Sequence, residues 1–217
     1  MTGWDRASAR DRLIQAIDVL TPRSPLPDLA LDRFLELCEL LSRWASRVNL
    51  TAHRSPEAIL ERLVLDALAL DAAVPTTSTL ADLGTGAGFP GLPFAIARPE
   101  RRVTLVEARE RKHHFQREAV RVLGLENAVP VHGRAESVPA SPHQLVLSQA
   151  MAKPQAALPL LLRWAASDGW LAIPGGSQPP QLPATPEVPT TEVRRYRVPL
   201  TGVERCVWIG RRAAECS

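Results

Sequence analysis

The stretch Thr79-Leu-Ala-Asp-Leu-Gly-Thr-Gly-Ala-Gly-Phe-Pro-Gly91 decides the reading of this chain. Four residues of strand character run directly into glycines at 84, 86 and 88, and a helix pattern opens at Gly91. Glycines at such a junction let a ligand approach the backbone closely, and the helix N-terminus after them favours polar contacts to it. A dinucleotide fingerprint needs G-x-G-x-x-G, but position 89 is Phe, so the pattern is Asp82-x-Gly-x-Gly-x-Gly88. That form suits a ligand without a pyrophosphate, such as S-adenosylmethionine, whose methionine moiety the loop can pass beneath. Asp82 can then support the loop or the ligand's ammonium group through charge-assisted hydrogen bonds. Taken alone, Asp82 also reads as a simple cap at a strand end.

Downstream, short apolar runs alternate with helical patterns, which is how a βαβ succession with a mostly parallel sheet reads. Strands are expected near Leu80–Leu83, Arg102–Val106, Val129–His132, Leu145–Ser148 and Gly169–Ile173, with helices near Gly91–Ala97, Glu110–Leu123 and Gln155–Ala166. Six prolines between Pro174 and Pro189 predict a loop. Val193–Val198 and Cys206–Gly210 would close the sheet as an antiparallel hairpin. The predicted fold class is therefore α/β, a Rossmann-like methyltransferase fold.

Ligands in open α/β sheets collect beyond the carboxyl ends of the strands. The second strand ends at Glu107, nineteen positions after Gly88, where a carboxylate can accept both hydroxyls of a ribose. The alternative is one member of a charge run with Arg109, Glu110, Arg111 and Lys112. By the same topology Ala135 and Glu136, in His132-Gly-Arg-Ala-Glu136, fall near an adenine, and Ser148-Gln-Ala150 faces the methyl group and acceptor.

Upstream, residues 1–74 read as a helical extension and 75–217 as the ligand-binding domain. Leu13, Ile17 and Leu20 form one stripe, and Leu31, Phe34, Leu35, Cys38 and Leu41 a second at helical spacing. Pro22, Pro25 and Pro27 separate them. Ser55-Pro56-Glu57 is a start signal for a third helix through Ile59, Leu63, Leu65 and Leu70.

At 217 residues and 45% hydrophobic content the chain can bury a proper core. No run of 18 apolar residues occurs and the N-terminus lacks a signal-peptide pattern, so a cytoplasmic location is expected. Cys38, Cys206 and Cys216 show neither metal-ligand spacing nor an even count, so no disulfide framework and no metal are expected. Net charge is +3, and Lys112 and Lys153 are the only lysines beside an arginine excess. With a pI near 9.1 this suits a polyanionic partner, although a GC-rich genome also produces arginine. Candidate contacts to such a polyanion lie in Arg98–Arg121, with Arg194–Arg212 as a weaker stretch. Histidines 53, 132 and 143 have no nucleophile partner that would suggest a hydrolase.

Between residues 33 and 175 the chain resembles the RsmG (GidB) family, which methylates N7 of a guanine in 16S ribosomal RNA. The resemblance is carried by Trp44-Ala-Ser-Arg-Val-Asn-Leu-Thr-Ala52, by Ile59-Leu-Glu-Arg-Leu-Val-Leu-Asp-Ala-Leu-Ala-Leu70, by Asp82 through Pro93, by Glu107 with Arg111-Lys-His-His-Phe115, and by Gly133-Arg-Ala-Glu136. It implies S-adenosylmethionine as cofactor, bound by Gly84, Gly86, Phe89, Ala135 and Glu136 beside Asp82, Glu107 and Gln149. It also implies 16S ribosomal RNA or the small subunit as partner, contacted through Arg109, Arg111, Lys112 and Arg134. Gln149 and Asp66 are the candidates nearest the methyl acceptor, and a monomer is the simplest state. The chain departs from the family pattern at Leu63 (usually histidine), Ala67 (serine), Gln149 (arginine) and Pro174-Gly175 (lysine-glycine). Those departures leave open a divergent member that binds the cofactor but methylates another substrate or is weakly active.

Overall fold

The computed structural model describes residues 4–20, 26–149 and 154–214. Pro22, Pro25, Ala150, Lys153 and Cys216 lie outside them.

Seven strands form one sheet in the order β3-β2-β1-β4-β5-β7-β6. They are β1 (Thr79–Leu83), β2 (Arg102–Glu107), β3 (Ala128–His132), β4 (His143–Ser148), β5 (Ala165–Gly175), β6 (Thr190–Arg197) and β7 (Glu204–Arg211). The first five are parallel, and β7 and β6 are added antiparallel. From β1 the chain steps one way to β2 and β3, then returns to place β4 on the other side of β1. The strand order therefore reverses between β1 and β4, and an open α/β sheet has its binding crevice at that point. Leu83 is in register with both Val106 and Ser148, so the ends of β1, β2 and β4 line up there.

Helices cover both faces unequally. One face carries α1 (Arg6–Leu20), α2 (Ala30–Ala45), α4 (Leu65–Ala73), α5 (Gly91–Ala97) and α6 (Glu110–Leu123). Their Leu13, Phe34, Leu65, Phe94 and Phe115 share a core cluster with Leu80, Val103, Leu105 and Leu145 of the sheet. The opposite face packs Ala81, Leu83, Val106 and Val146 against Leu158, Leu161 and Trp164 of α7 (Pro154–Trp164). The alternation of Leu80 and Ala81 between clusters is the period-two pleat of a strand buried on both faces.

Ser55 caps α3 (Pro56–Ile59), its hydroxyl accepting from the Ala58 amide at 3.2 Å, as the start signal predicts. The next turn has no comparable signal in the sequence. Leu60–Val64 form a π turn before α4 begins, and such turns recur at functional sites. Two boundaries also differ from expectation. The helix read to Ala166 stops at Trp164, because Ala165 already pairs with His143 and the strand then bulges through Asp168, at φ 60°, and Gly169. Pro174 belongs to β5 rather than to the loop, since Ile173, Pro174 and Gly175 continue the pairing with β7 through Trp208, Val207 and Cys206. No helix among the described residues is long and apolar enough to cross a membrane.

The candidate cofactor cradle and acceptor cavity

Gly84, Gly86 and Gly88 all have positive φ, 69°, 64° and 85°, which folds the loop back over the end of β1. Gly91 is required for a different reason. A Cβ there would lie 2.2 Å from Leu105 Cδ2 and 2.9 Å from Asp82 Oδ2. The close approach lets the Gly91 amide donate to Asp82 Oδ2 at 2.9 Å, while the Thr85 hydroxyl donates to the same oxygen at 2.6 Å. Asp82 is fully buried, and its other oxygen, Oδ1, has no hydrogen-bond partner. Burial pushes its carboxyl up to about 7, against the pull of the Thr85 hydroxyl and the Gly91 amide. An orphaned buried carboxylate oxygen under a glycine loop suits a cationic ligand group.

Glu107 stands across from this loop at the end of β2. Its Oε2 accepts from the Gly86 amide at 2.9 Å and its Oε1 from the Arg109 amide at 2.8 Å. Each oxygen keeps a second lone pair, so the carboxylate can take a diol without losing the loop. Gln116, buried on α6, donates to the Gly86 carbonyl at 2.7 Å and leaves its own Oε1 unpartnered. The loop is thus pinned from β2 and α6 before any ligand arrives. Ala135 is buried, and its carbonyl accepts from Trp164 Nε1 at 3.0 Å and from Arg163, while Arg134 and Glu136 are exposed beside it. Next to them His132 stacks on His113, ring centroids 5.1 Å apart. Burial first, then the neighbouring His132, Arg117 and His114, hold His113 below the ordinary histidine range.

On the other side of the crevice a cavity of about 170 Å³ is lined by Leu63, Asp66 and Ala67 from the π turn and α4, Phe89 from the glycine loop, Gln149 after β4 and Arg205 on β7. A second cavity of about 380 Å³ shares Gln149 and Arg205 and extends to Ser148, Pro174 and Gly175. Gln149, placed by sequence reading at the junction of cofactor and acceptor, lines both. All four departures from the family pattern, at 63, 67, 149 and 174, line one or the other. Arg205 Nε lies 3.3 Å from Asp66 Oδ2, and the Tyr196 hydroxyl donates to Asp66 Oδ1 at 3.4 Å. Burial raises the Asp66 carboxyl above its ordinary range, although Arg205 and Tyr196 oppose the shift. Burial, then the Asp66 charge, raises the Tyr196 phenol.

The predicted basic segment divides. Arg109 and Arg111 are exposed near the cradle, and Lys112 Nζ lies 3.5 Å from where a Cβ on Gly86 would stand. Arg98 and Arg101 are instead buried, both pairing with Asp71, at 3.2 and 2.6 Å. They do not reach RNA, because pulling a buried guanidinium away from its carboxylate costs more than a surface phosphate contact returns. A different basic face joins α6 to the end of α2. Depressions of about 380 and 430 Å³ meet at Trp44, one bordered by Arg43 and Arg47, the other by His114, Arg117 and Arg121.

Sequence reading has Arg205 only within a weaker basic stretch and places neither it nor Tyr196 beside Asp66. They are registered opposite each other across β6 and β7, so one hairpin carries both to Asp66, more than 120 positions upstream. Local spacing holds no signal for that meeting; only the added antiparallel hairpin produces it.

Comparison with known proteins agrees with this architecture. The family model described as GidB, rRNA small subunit methyltransferase G, matches residues 30–205. A ribosomal RNA small subunit methyltransferase G of Chromohalobacter salexigens is 38% identical over 188 residues, covering 85% of this chain and 89% of that relative. The same-named protein of Neisseria gonorrhoeae is 34% identical over 206 residues, 92% and 97% of the two chains. A solved structure described as a SAM dependent methyltransferase from Aquifex aeolicus superposes with a TM-score of 0.52 at 20% identity, over 72% of this chain and 93% of that one. That likeness speaks for the Rossmann-like methyltransferase fold alone. With its match from α2 to the start of β7 and relatives that align along nearly their whole length, the chain belongs to the GidB family, rRNA small subunit methyltransferase G.

Proposed function

We propose that the chain transfers a methyl group from S-adenosylmethionine to N7 of a guanine in 16S ribosomal RNA, acting in the cytoplasm as a monomer and without a metal. The carrying observation is the loop at the sheet's switch point. Gly86 is pinned between Glu107 and Gln116, and Asp82 waits beneath with one oxygen unpartnered. The residues fit the cofactor: Glu107 for the ribose hydroxyls, the backbone around Ala135 and Glu136 for the adenine, Gly84 and Gly86 for close approach, and Asp82 for the ammonium. When bound, S-adenosylmethionine supplies an electrophilic methyl on a sulfonium.

Guanine N7 already carries a lone pair at neutral pH, so the protein's task is alignment and exclusion of water rather than proton removal. Phe89 and Gln149 both line the smaller cavity where that alignment would be made. Arg109, Arg111 and Arg134 are exposed beside the cradle and Lys112 reaches toward Gly86, so these cations would hold phosphates, a contribution that salt weakens.

The clustering of departures at positions 63, 67, 149 and 174 around the acceptor cavities supports one second reading. The cradle is kept while the acceptor side has diverged, so another substrate, or slow turnover, goes with the same cofactor. Transfer of tritium from labelled cofactor to small subunits from a strain lacking this gene distinguishes the two. Label mapped to one guanine N7 supports the first reading; cofactor binding with no label supports the second.

A further inference from the structure

Asp66 and Arg205 face each other across the smaller cavity, and their geometry is not that of a saturated ion pair. Charge-assisted N–O contacts are ordinarily about 2.7–2.9 Å. Here Arg205 Nε stands 3.3 Å from one carboxylate oxygen and the Tyr196 hydroxyl 3.4 Å from the other. Asp71, by contrast, takes one short contact, from Arg101 at 2.6 Å, with Arg98 at 3.2 Å on its other oxygen. The Asp66 side chain is only 12% exposed, so its remaining lone pairs face the cavity's contents rather than open water. The ion pair uses Arg205 Nε, which leaves the terminal fork of that guanidinium to a further acceptor.

The cavity, about 170 Å³, has room for one planar heterocycle but not for a whole nucleotide. Phe89 offers it an aromatic wall, on which a base stacks whatever its identity. Stacking does not discriminate, and among the polar groups lining the cavity, which include Gln149, Arg62 and His53, the Asp66–Arg205 pair sets an acceptor and a donor side by side. A carboxylate beside a guanidinium is the complement of the Watson–Crick edge of guanine, which presents two donors, N2–H and N1–H, next to one acceptor, O6. Adenine presents an acceptor, N1, where the carboxylate requires a donor. Guanine held by that edge keeps N7, on the five-membered ring, free for attack.

We propose that Asp66 and Arg205 select the acceptor base, Asp66 accepting from N1–H and N2–H of guanine and Arg205 donating to O6. This rests on the methyl-transfer reading above and adds the residues that set base specificity. The π turn at Leu60–Val64 immediately precedes α4 and sets where Asp66 enters the cavity, while the β6–β7 hairpin supplies the cation.

The test replaces the labelled guanine, once mapped, by inosine in reconstituted small subunits; inosine lacks only the N2 amino group. The wild type should lose on the order of 10-fold in kcat/KM with inosine. Asp66→Ala should lose at least as much with guanine but less with inosine, which keeps only its N1–H for that carboxylate, so the guanine–inosine ratio should fall toward one with cofactor affinity unchanged. A residue that merely packs the hairpin onto α4 would lower both substrates equally and keep the guanine–inosine ratio, which overturns the proposal. Asp66→Asn keeps one acceptor oxygen and nearly the same shape, so it provides the same ratio if the alanine variant does not fold. Absence of label on wild-type guanine substrate would instead defeat the underlying methyl-transfer reading.

Discussion

Asp82 ties the cradle's architecture to its chemistry, and the tie is measurable through protons. Its folded carboxyl titrates at about 7, against 3.8 for an unperturbed aspartate. Between those values the folded state holds a proton that the unfolded chain has released. This group therefore lowers the stability of the ligand-free protein as pH rises through that window, and contributes no such penalty below it. A cofactor carrying positive charge onto the unpartnered Oδ1 reverses the preference and draws the proton off. Calorimetric titration at about pH 6.5, just below that folded value, in two buffers of different ionisation enthalpy should show proton release on cofactor binding, and Asp82→Asn should show none. Equal heats in the wild type would mean the ammonium lies elsewhere. Glu107→Ala removes the ribose acceptor and one anchor of Gly86 together, so cofactor affinity should fall by roughly 1–3 kcal/mol. An unchanged dissociation constant would take Glu107 out of the site.

At the scale of elements, the glycine loop and α5 are a single device. Gly91→Ala would thrust a methyl against Leu105 and Asp82, so thermal stability should drop by about 1–3 kcal/mol and the cofactor should no longer raise the melting temperature. The parallel strands were legible because each is a short apolar run bounded by turn residues, and Glu107 because it ends one of them. The π turn was not legible, since Leu60–Val64 carries the same apolar spacing as an ordinary helix. Nor was the fate of Arg98 and Arg101, whose partner Asp71 sits in another helix and looks like any exposed charge in sequence. The face that α2 and α6 build around Trp44 is then a further candidate for RNA contact, beside Arg109, Arg111, Lys112 and Arg134. Arg47→Glu combined with Arg117→Glu should raise KM for the small subunit and flatten its salt dependence, by roughly one unit of slope for each phosphate no longer neutralised, with cofactor affinity unchanged. Unaltered salt dependence would show that face to be only solvated.

At the scale of the molecule, the question is whether residues 1–74 are an appendage or part of the fold. Leu13 of α1, Phe34 of α2 and Leu65 of α4 lie in the same apolar cluster as Leu80, Val103 and Leu145 of the sheet. Asp71, at the end of α4, is the carboxylate shared by Arg98 and Arg101, which sit where α5 leads into β2. We therefore expect the boundary near residue 74 to be one of sequence pattern rather than of stability. Asp71→Ala takes that shared carboxylate away from two buried cations and should cost about 3–5 kcal/mol. For a chain of this size that lowers the melting temperature by roughly 6–20 °C. If helical layer and sheet form one cooperative unit, far-ultraviolet dichroism and tryptophan fluorescence will report a single transition that moves as a whole in the variant. Two separate transitions, with only the helical signal displaced, would mean that the layer folds on its own. In that case the acceptor cavity, which needs Asp66 from the layer and Arg205 from the sheet, would be assembled by docking rather than by folding.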